Sequence, residues 1–362
     1  MLHKKIVLIV LGFFVSFVGF SQDAKERNQE NINVNKFRQL YQEFSSPNMF
    51  RTASGAPGPA YYQQQADYKM DIELDDENKR IYGSETITYT NNSPDNLEYL
   101  WVQLDQNIRK KDSPSLLIDG GGVSPAYLPS GFTKEFLTDS FDGGFNIEYV
   151  VDENNKPLKH FVNQTMMRVD LPNILKSGES FSFSIKWWYN IQDHVNQDGR
   201  SGYESFDKDG NRVYIIAQFF PRMAVYNEVE GWQNYQFWGD GEFALPFGNY
   251  DVKITVPSDH ILDATGELQN RKNVFSKEMI KRYNKAKKTY DKPVMIVTQA
   301  EAEEVEKGFS KKKKTWHFQA ENVRDFAFAT SRKFIWDMMA VKIGDKDVMA
   351  VSMYPKEGNP LW

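Results

Sequence analysis

Tyr68-Lys69-Met70-Asp71-Ile72-Glu73-Leu74 alternates apolar and polar residues, and Asp75-Asp76-Glu77-Asn78 follows as a turn. Arg80-Ile81-Tyr82-Gly83-Ser84-Glu85-Thr86-Ile87-Thr88-Tyr89 then alternates again. Successive side chains of an extended strand point to opposite faces, so a period of two buries one face and wets the other. Two such runs joined by an acidic turn predict a β-hairpin. The pattern recurs at Asn146-Ile147-Glu148-Tyr149-Val150-Val151, with a turn over 152–157 and a second strand from Leu158. It recurs once more at Ser180-Phe181-Ser182-Phe183-Ser184-Ile185-Lys186-Trp187. Strands at this spacing without intervening helices predict a mainly β fold, an antiparallel sandwich or saddle. Helical spacing is confined to 277–290, where Met279, Ile280, Tyr283 and Ala286 share one side.

The composition agrees. A chain of 362 residues, 40% hydrophobic and 14% aromatic, can bury a sizeable core and favours pleated surfaces. Residues 1–22 read as a signal peptide: His3-Lys4-Lys5 precede an apolar run over 6–20, closed by Gly19, Ser21 and Gln22. About fifteen apolar residues suit a signal core, whereas a membrane span needs about twenty. Cleavage near Gln22 predicts an exported, periplasmic or extracellular protein with no membrane attachment; an uncleaved anchor is the alternative. The chain has no cysteine, which excludes disulfides and a cysteine-linked lipid. Without Lys4 and Lys5 there are 42 basic against 49 acidic residues, a net charge of −7. That balance argues against nucleic acid as a partner. Residues 23–60 are a polar, then Pro/Gly/Ser-rich linker, with one amphipathic patch at Phe37, Leu40, Tyr41 and Phe44.

Catalytic motifs are mostly missing. His3, His160, His194, His260 and His317 stand far apart, and no H-E-x-x-H occurs. A helical zinc site needs two imidazoles at i and i+4 with a glutamate between them. Asp207-Lys208-Asp209-Gly210-Asn211 starts like a calcium loop, but its glycine falls two places early and its twelfth position is Gln218. A hairpin turn between Tyr203 and Tyr214 fits it better. The Lys311–Lys314 run reads as a solvated turn, and Asp240 and Glu242 offer carboxylates without a motif. No nucleophile elbow and no phosphate-cradling glycine loop is present.

Several blocks together resemble the N-terminal domain of aminopeptidase N-like zinc metallopeptidases of the exported bacterial type. They are Ala217-Gln218-Phe219-Phe220-Pro221-Arg222-Met223-Ala224-Val225-Tyr226, Gly231-Trp232, and Gly241-Glu242-Phe243 with Leu245. Tyr250-Asp251-Val252-Lys253-Ile254-Thr255-Val256-Pro257, Ala264-Thr265-Gly266-Glu267-Leu268 and the stretch from Trp316 to Ala329 complete the set. The resemblance implies a saddle-like β-domain over 61–335, walling one side of a cleft in a thermolysin-like catalytic domain that holds the zinc. Residues 336–362 then read as the beginning of that catalytic domain, cut short. This chain is expected to carry no catalytic residue, no metal ligand and no cofactor of its own. Its expected partners are the catalytic domain and, through it, a peptide substrate. Met338, Met339, Val348, Val351, Met353 and Trp362 are expected to want partners from that domain. The resemblance also implies a substrate-binding role for Gln218, which stands about where the family places a Gln or Glu that holds the substrate's α-amine. The residue-level alternative is a strand-end amide bonding backbone, with Arg222 pairing a carboxylate near the domain seam. Trp187, Trp188, Trp232, Trp238 and Trp316 read as core or seam aromatics. The competing reading of the whole chain is a stand-alone β-sandwich module that binds peptide or glycan.

Overall fold

The leading hairpin forms as its period requires. β1 (Gln65–Asp75) and β2 (Arg80–Thr90) pair antiparallel from Gln65↔Thr90 to Asp75↔Arg80. Asp75 closes the turn by accepting the Asn78 amide at 2.9 Å. Ala66, Tyr68, Met70, Ile72 and Leu74 are buried on one face of β1, and Ile81, Ile87 and Tyr89 on the same face of β2. This computed structural model describes residues 47–115, 126, 128–133, 141–195, 201–239 and 243–359. The leader, the patch at Phe37, Leu40, Tyr41 and Phe44, the carboxylates of Asp240 and Glu242, and Trp362 lie outside the described residues.

In chain order there follow β3 (Leu97–Gln103), β4 (Asn146–Asp152), β5 (His160–Asn163), β6 (Met166–Leu175) and β7 (Ser180–Asn190). Next are β8 (Gly202–Phe206), β9 (Asn211–Ile216), β10 (Arg222–Met223), β11 (Tyr226–Asn227), β12 (Gly231–Trp232) and β13 (Gly248–Pro257). The last group is β14 (Ile261–Ala264), β15 (Glu267–Leu268), β16 (Val294–Val297), β17 (Lys313–Val323), β18 (Phe328–Ser331), β19 (Ile335–Ile343) and β20 (Lys346–Tyr354). A seven-stranded sheet runs β15-β17-β13-β1-β2-β7-β4, and four-stranded sheets run β10-β3-β6-β5 and β14-β18-β9-β8. A smaller sheet runs β16-β19-β20. The fold is mainly β, with antiparallel pairing throughout these sheets except between β1 and β13, which run parallel. The wet face of β2 and β7 is laced by hydroxyl pairs, Thr86–Ser184 at 2.9 Å, Thr88–Ser182 at 2.9 Å and Thr90–Ser180 at 2.8 Å. Such cross-strand pairs add support to a ladder.

Three local expectations change. The turn over 152–157 does not join a hairpin between neighbouring strands. Val151 and Pro157 make one bridge, after which Leu158 plugs the core and the chain crosses over. β4 pairs with β7 and β5 with β6, in different sheets. Helix α1 (Lys277–Ala286) matches its periodicity, but single helical turns at Pro129–Phe132 and Arg271–Val274 and a longer helix, α2 (Gln299–Val305), also form. The α2 signal is local rather than periodic: Thr298 accepts the Glu301 amide while Glu301 reaches back to Thr298, a capping box. The Lys311–Lys314 run is not only a turn, because β17 begins at Lys313. Lys314 is drawn inward, its Nζ 4.9 Å over the Trp316 ring, and burial lowers its pKa to about 8.

Of the tryptophans, Trp187, Trp232 and Trp316 are buried, while Trp188 is half-buried with Arg80 at 4.7 Å over its ring. Trp187 explains a glycine inside a strand. Gly83 lies opposite it in the ladder, and a Cβ there would stand 2.3 Å from its ring. Gly83→Ala is therefore expected to lower stability by about 1–3 kcal/mol through overpacking, read as a shift of the urea midpoint at unchanged slope. An unchanged midpoint would show that the indole shifts freely.

At the C-terminal end, β19 buries Ile335, Trp336, Met338 and Ala340. Met338 thus has its partners within this chain, contrary to expectation, because β16 pairs with it directly. β20 is the outer strand of that sheet, with Val348 and Val351 each 41% exposed.

Candidate functional site

β9 ends at Ile216, and two residues later Gln218 adopts φ +52°, in the left-handed region that side chains with a Cβ avoid. Phe219 and Phe220 follow, both fully buried, with their rings 5.0 Å apart and edge to face. Phe219 meets Phe328 at 5.2 Å and Phe220 meets Tyr68 at 5.4 Å. Pro221 is buried too, and Arg222-Met223 then pairs with Gln103 and Val102 of β3. The Met223 amide donates to the Tyr68 hydroxyl at 2.9 Å. The chain at Gln218 is thus held by two aromatic plugs on one side. A non-glycine residue in this conformation costs of order 1–3 kcal/mol and persists only where its surroundings enforce it.

The other restraint comes from Asp105-Gln106-Asn107, three consecutive buried polar residues after β3. Gln106 donates its amide to the Gln218 carbonyl at 2.8 Å. Asn107 donates to the Gln164 carbonyl at 2.7 Å and accepts the Phe145 amide at 2.9 Å. Asp105 takes a two-pronged hydrogen bond from Arg222, Nε at 3.2 Å and Nη2 at 2.8 Å. Arg222 Nη1 donates to Asp325 at 2.7 Å. Burial works against the Arg222 charge, but Asp105 and Asp325 more than offset it and raise its pKa. Burial pushes the Asp325 carboxyl up, and Arg222 restrains that shift. Arg222 is thereby structural.

The Gln218 side chain is half-buried and has no hydrogen-bond partner among the described residues. The satisfied group is its main-chain carbonyl, so the picture of a strand-end amide bonding backbone does not describe it. An amide oxygen left open beside a rigid Phe-Phe-Pro turn can accept from an ammonium group.

The histidines lie on separate elements. His160 Nδ1 is 3.0 Å from the Leu158 carbonyl, and His317 Nε2 is 3.0 Å from Asp251. His194 is exposed just after β7. His260 is fully buried with Nδ1 3.2 Å from the Thr330 hydroxyl. Burial, then the nearby Arg332 charge, lower its pKa to about 3.

Among the described residues, one group of possible metal ligands stands out: Asp209, Glu306 and Glu357, with oxygens within 4.8 Å of one another. Its centre is filled by Lys333. That ammonium bonds Asp209, Glu306 at 2.9 Å and Glu357 at 3.0 Å, and the side chain is 0% exposed. Burial lowers the Lys333 pKa, but the three carboxylates outweigh it and the net shift is upward. The donors are all carboxylates and the cation is already covalently present, so these residues do not fit a zinc ion. The turn that resembled a calcium loop is the β8–β9 hairpin, with Tyr203 opposite Tyr214. Sequence reading missed both Asp105-Gln106-Asn107 and Lys333. The signal available was an unbroken polar triplet next to an apolar strand.

No family profile matches this chain, and no curated protein matches it. Solved structures do. A mutant of an M1 zinc metallopeptidase from Deinococcus radiodurans is similar at 11% identity and a TM-score of 0.43, over 83% of this chain and 50% of that one. The same mutant bound to a Tyr-Ser-Ala substrate is similar at 11% identity and 0.43, over 81% and 48%. The unmutated protein is similar at 11% identity and 0.42, over 83% and 49%. The chain spans about half the length of the structures it is similar to.

Proposed function

We propose that this chain is the substrate-cleft and scaffold domain of an exported zinc aminopeptidase, with the chemistry performed by a catalytic domain that carries H-E-x-x-H. The observation that carries this reading is Gln218. Its backbone is locked in a left-handed conformation, its carbonyl is clamped by Gln106, and its side-chain amide remains unengaged. A strained, rigidly held residue with an unsatisfied polar group suits a ligand contact better than a structural one. In the proposed role, the side-chain amide oxygen (Oε1) of Gln218 accepts from the α-ammonium of a peptide substrate and fixes the register of its first residue. Export and cleavage of the leader near Gln22 belong to the same proposal.

The test uses the intact parent. Gln218→Ala is expected to lower kcat/KM on substrates with a free α-amine by about 10–100-fold, the loss of one hydrogen bond to a charged group. Gln218→Glu, which keeps an acceptor there, is expected to retain most of the activity. An unchanged kcat/KM in Gln218→Ala, or a downstream reading frame without H-E-x-x-H, would refute the proposal.

A further inference from the structure

A concavity that Gln218 does not line lies where the segment before β1 meets the β11–β12 hairpin. It is a cleft of about 170 Å³. Two arginines line it, together with Tyr61, Tyr62, Gln233 and Phe247. Each arginine lies over an aromatic ring of the cleft: Arg51 is 5.3 Å from the Tyr61 ring centre, and Arg324 is 4.6 Å from that of Phe247. Arg51 is oriented through its Nε, which donates to Glu228, a carboxylate whose side chain is 4% exposed. That leaves both Arg51 Nη groups without a hydrogen-bond partner among the described residues. Arg324 has no ion-pair partner among them either. Its carbonyl is held by the Tyr250 hydroxyl at 3.1 Å, and the next residue, Asp325, is committed to Arg222.

Glu228 already balances the charge of Arg51, so the cation of the cleft that no acid opposes among the described residues is Arg324, whose neighbour Asp325 is committed to Arg222. Glu228 binds Arg51 from the side, and Asp95 accepts the Tyr226 hydroxyl at 2.8 Å. A planar guanidinium fork matches the two oxygens of a carboxylate, and stacking on a ring pre-orients it at low entropic cost. The cleft is smaller than the usual drug-sized pocket of about 300–1,000 Å³, which suits a ligand of one or two amino-acid residues. We infer that this cleft binds a carboxylate-bearing ligand of amino-acid to dipeptide size, its carboxylate gripped by Arg51 and Arg324 and its apolar part against Phe247. The inference goes beyond the peptidase reading and does not depend on it, because Gln218 is not among the residues lining the cleft.

The experiment is calorimetric titration of the full chain with N-acetyl-Ala-Phe as the free acid, with its C-terminal amide, and with succinate. The free acid is expected to bind at least about 10-fold more tightly than the amide, the worth of one charge-assisted pair. Succinate binding as well assigns the site to small carboxylic acids in general, and binding of the dipeptide acid alone assigns it to peptide C-termini. Arg51→Met also strands the Glu228 carboxylate, so the decisive variant is Arg324→Met. It is expected to weaken the acid at least about 10-fold at unchanged thermal midpoint, with Arg324→Lys intermediate. Equal affinity for acid and amide would overturn the inference. So would a Kd for both acids weaker than about 10 mM, or an Arg324→Met protein that binds like the wild type.

Discussion

Replacing Arg222 by methionine is expected to cost about 3–5 kcal/mol of stability, because it leaves the Asp105 carboxylate buried and uncompensated. Asp105 is 1% exposed and takes two of its hydrogen bonds from this one guanidinium. The arm to Asp325 contributes less, since that side chain is 40% exposed and water screens it. A second variant separates the pair from the packing around it. Arg222→Met combined with Asp105→Leu removes both charges, and apolar replacements of a buried ion pair are often neutral or stabilising by about 1–4 kcal/mol. The double variant is therefore expected to recover most of the loss, giving a large coupling energy in a urea-unfolding cycle. Additive losses would mean that Arg222 and Asp105 do not act as a unit. The consequence reaches Gln218, because the loop that carries Asp105 also carries Gln106, the residue that clamps the Gln218 carbonyl. On the role proposed for Gln218, Arg222→Met in a protein that also carries the catalytic domain is expected to lower activity toward free α-amines even where the protein stays folded.

The alternating runs made the main sheet legible, since burying one face of a strand enforces a period of two, as in the β1–β2 hairpin and in β7. What those runs left open is which strands pair. Residues 146–158 show this: the turn is where the residues place it, but β4 and β5 join different sheets because Leu158 is drawn into the core. Parallel pairing of β1 with β13 is equally invisible, because it depends on a connection that runs from Asp75 to Gly248. Gln218 was legible by its place before Phe-Phe-Pro, yet its left-handed backbone was not. That conformation is imposed by residues distant in sequence, Gln106 and the rings that hold Phe219 and Phe220. Lys333 was illegible for the same reason, since its three carboxylates come from a hairpin, the end of α2 and the turn after β20.

Glu85 supplies the other large effect. It occupies a core position of β2, paired across the ladder with Met70 and Ile185, and both of its carboxylate oxygens are buried without a partner. Burial raises its pKa well above the ordinary 4.5. The proton is therefore held in the fold at pH values where the unfolded chain has released it. Above pH 4.5 the unfolded state binds fewer protons than the native state, so this residue makes stability fall as pH rises, by about 1.4 kcal/mol per unit until the folded pKa is reached. Other groups act in the same range. Asp263, raised to about 6 by burial, has the same sign, and His260, lowered to about 3, has the opposite one below pH 6.5. The useful quantity is thus a difference between two proteins, in which those contributions cancel. Glu85→Leu is expected to gain on the wild type as pH rises from 5 to 8, by up to about 4 kcal/mol, in urea unfolding at each pH. The leucine also removes a polar group that has no partner. A gap that does not change with pH would mean that Glu85 titrates alike in the folded and unfolded chains, and would contradict its enclosure in the sheet.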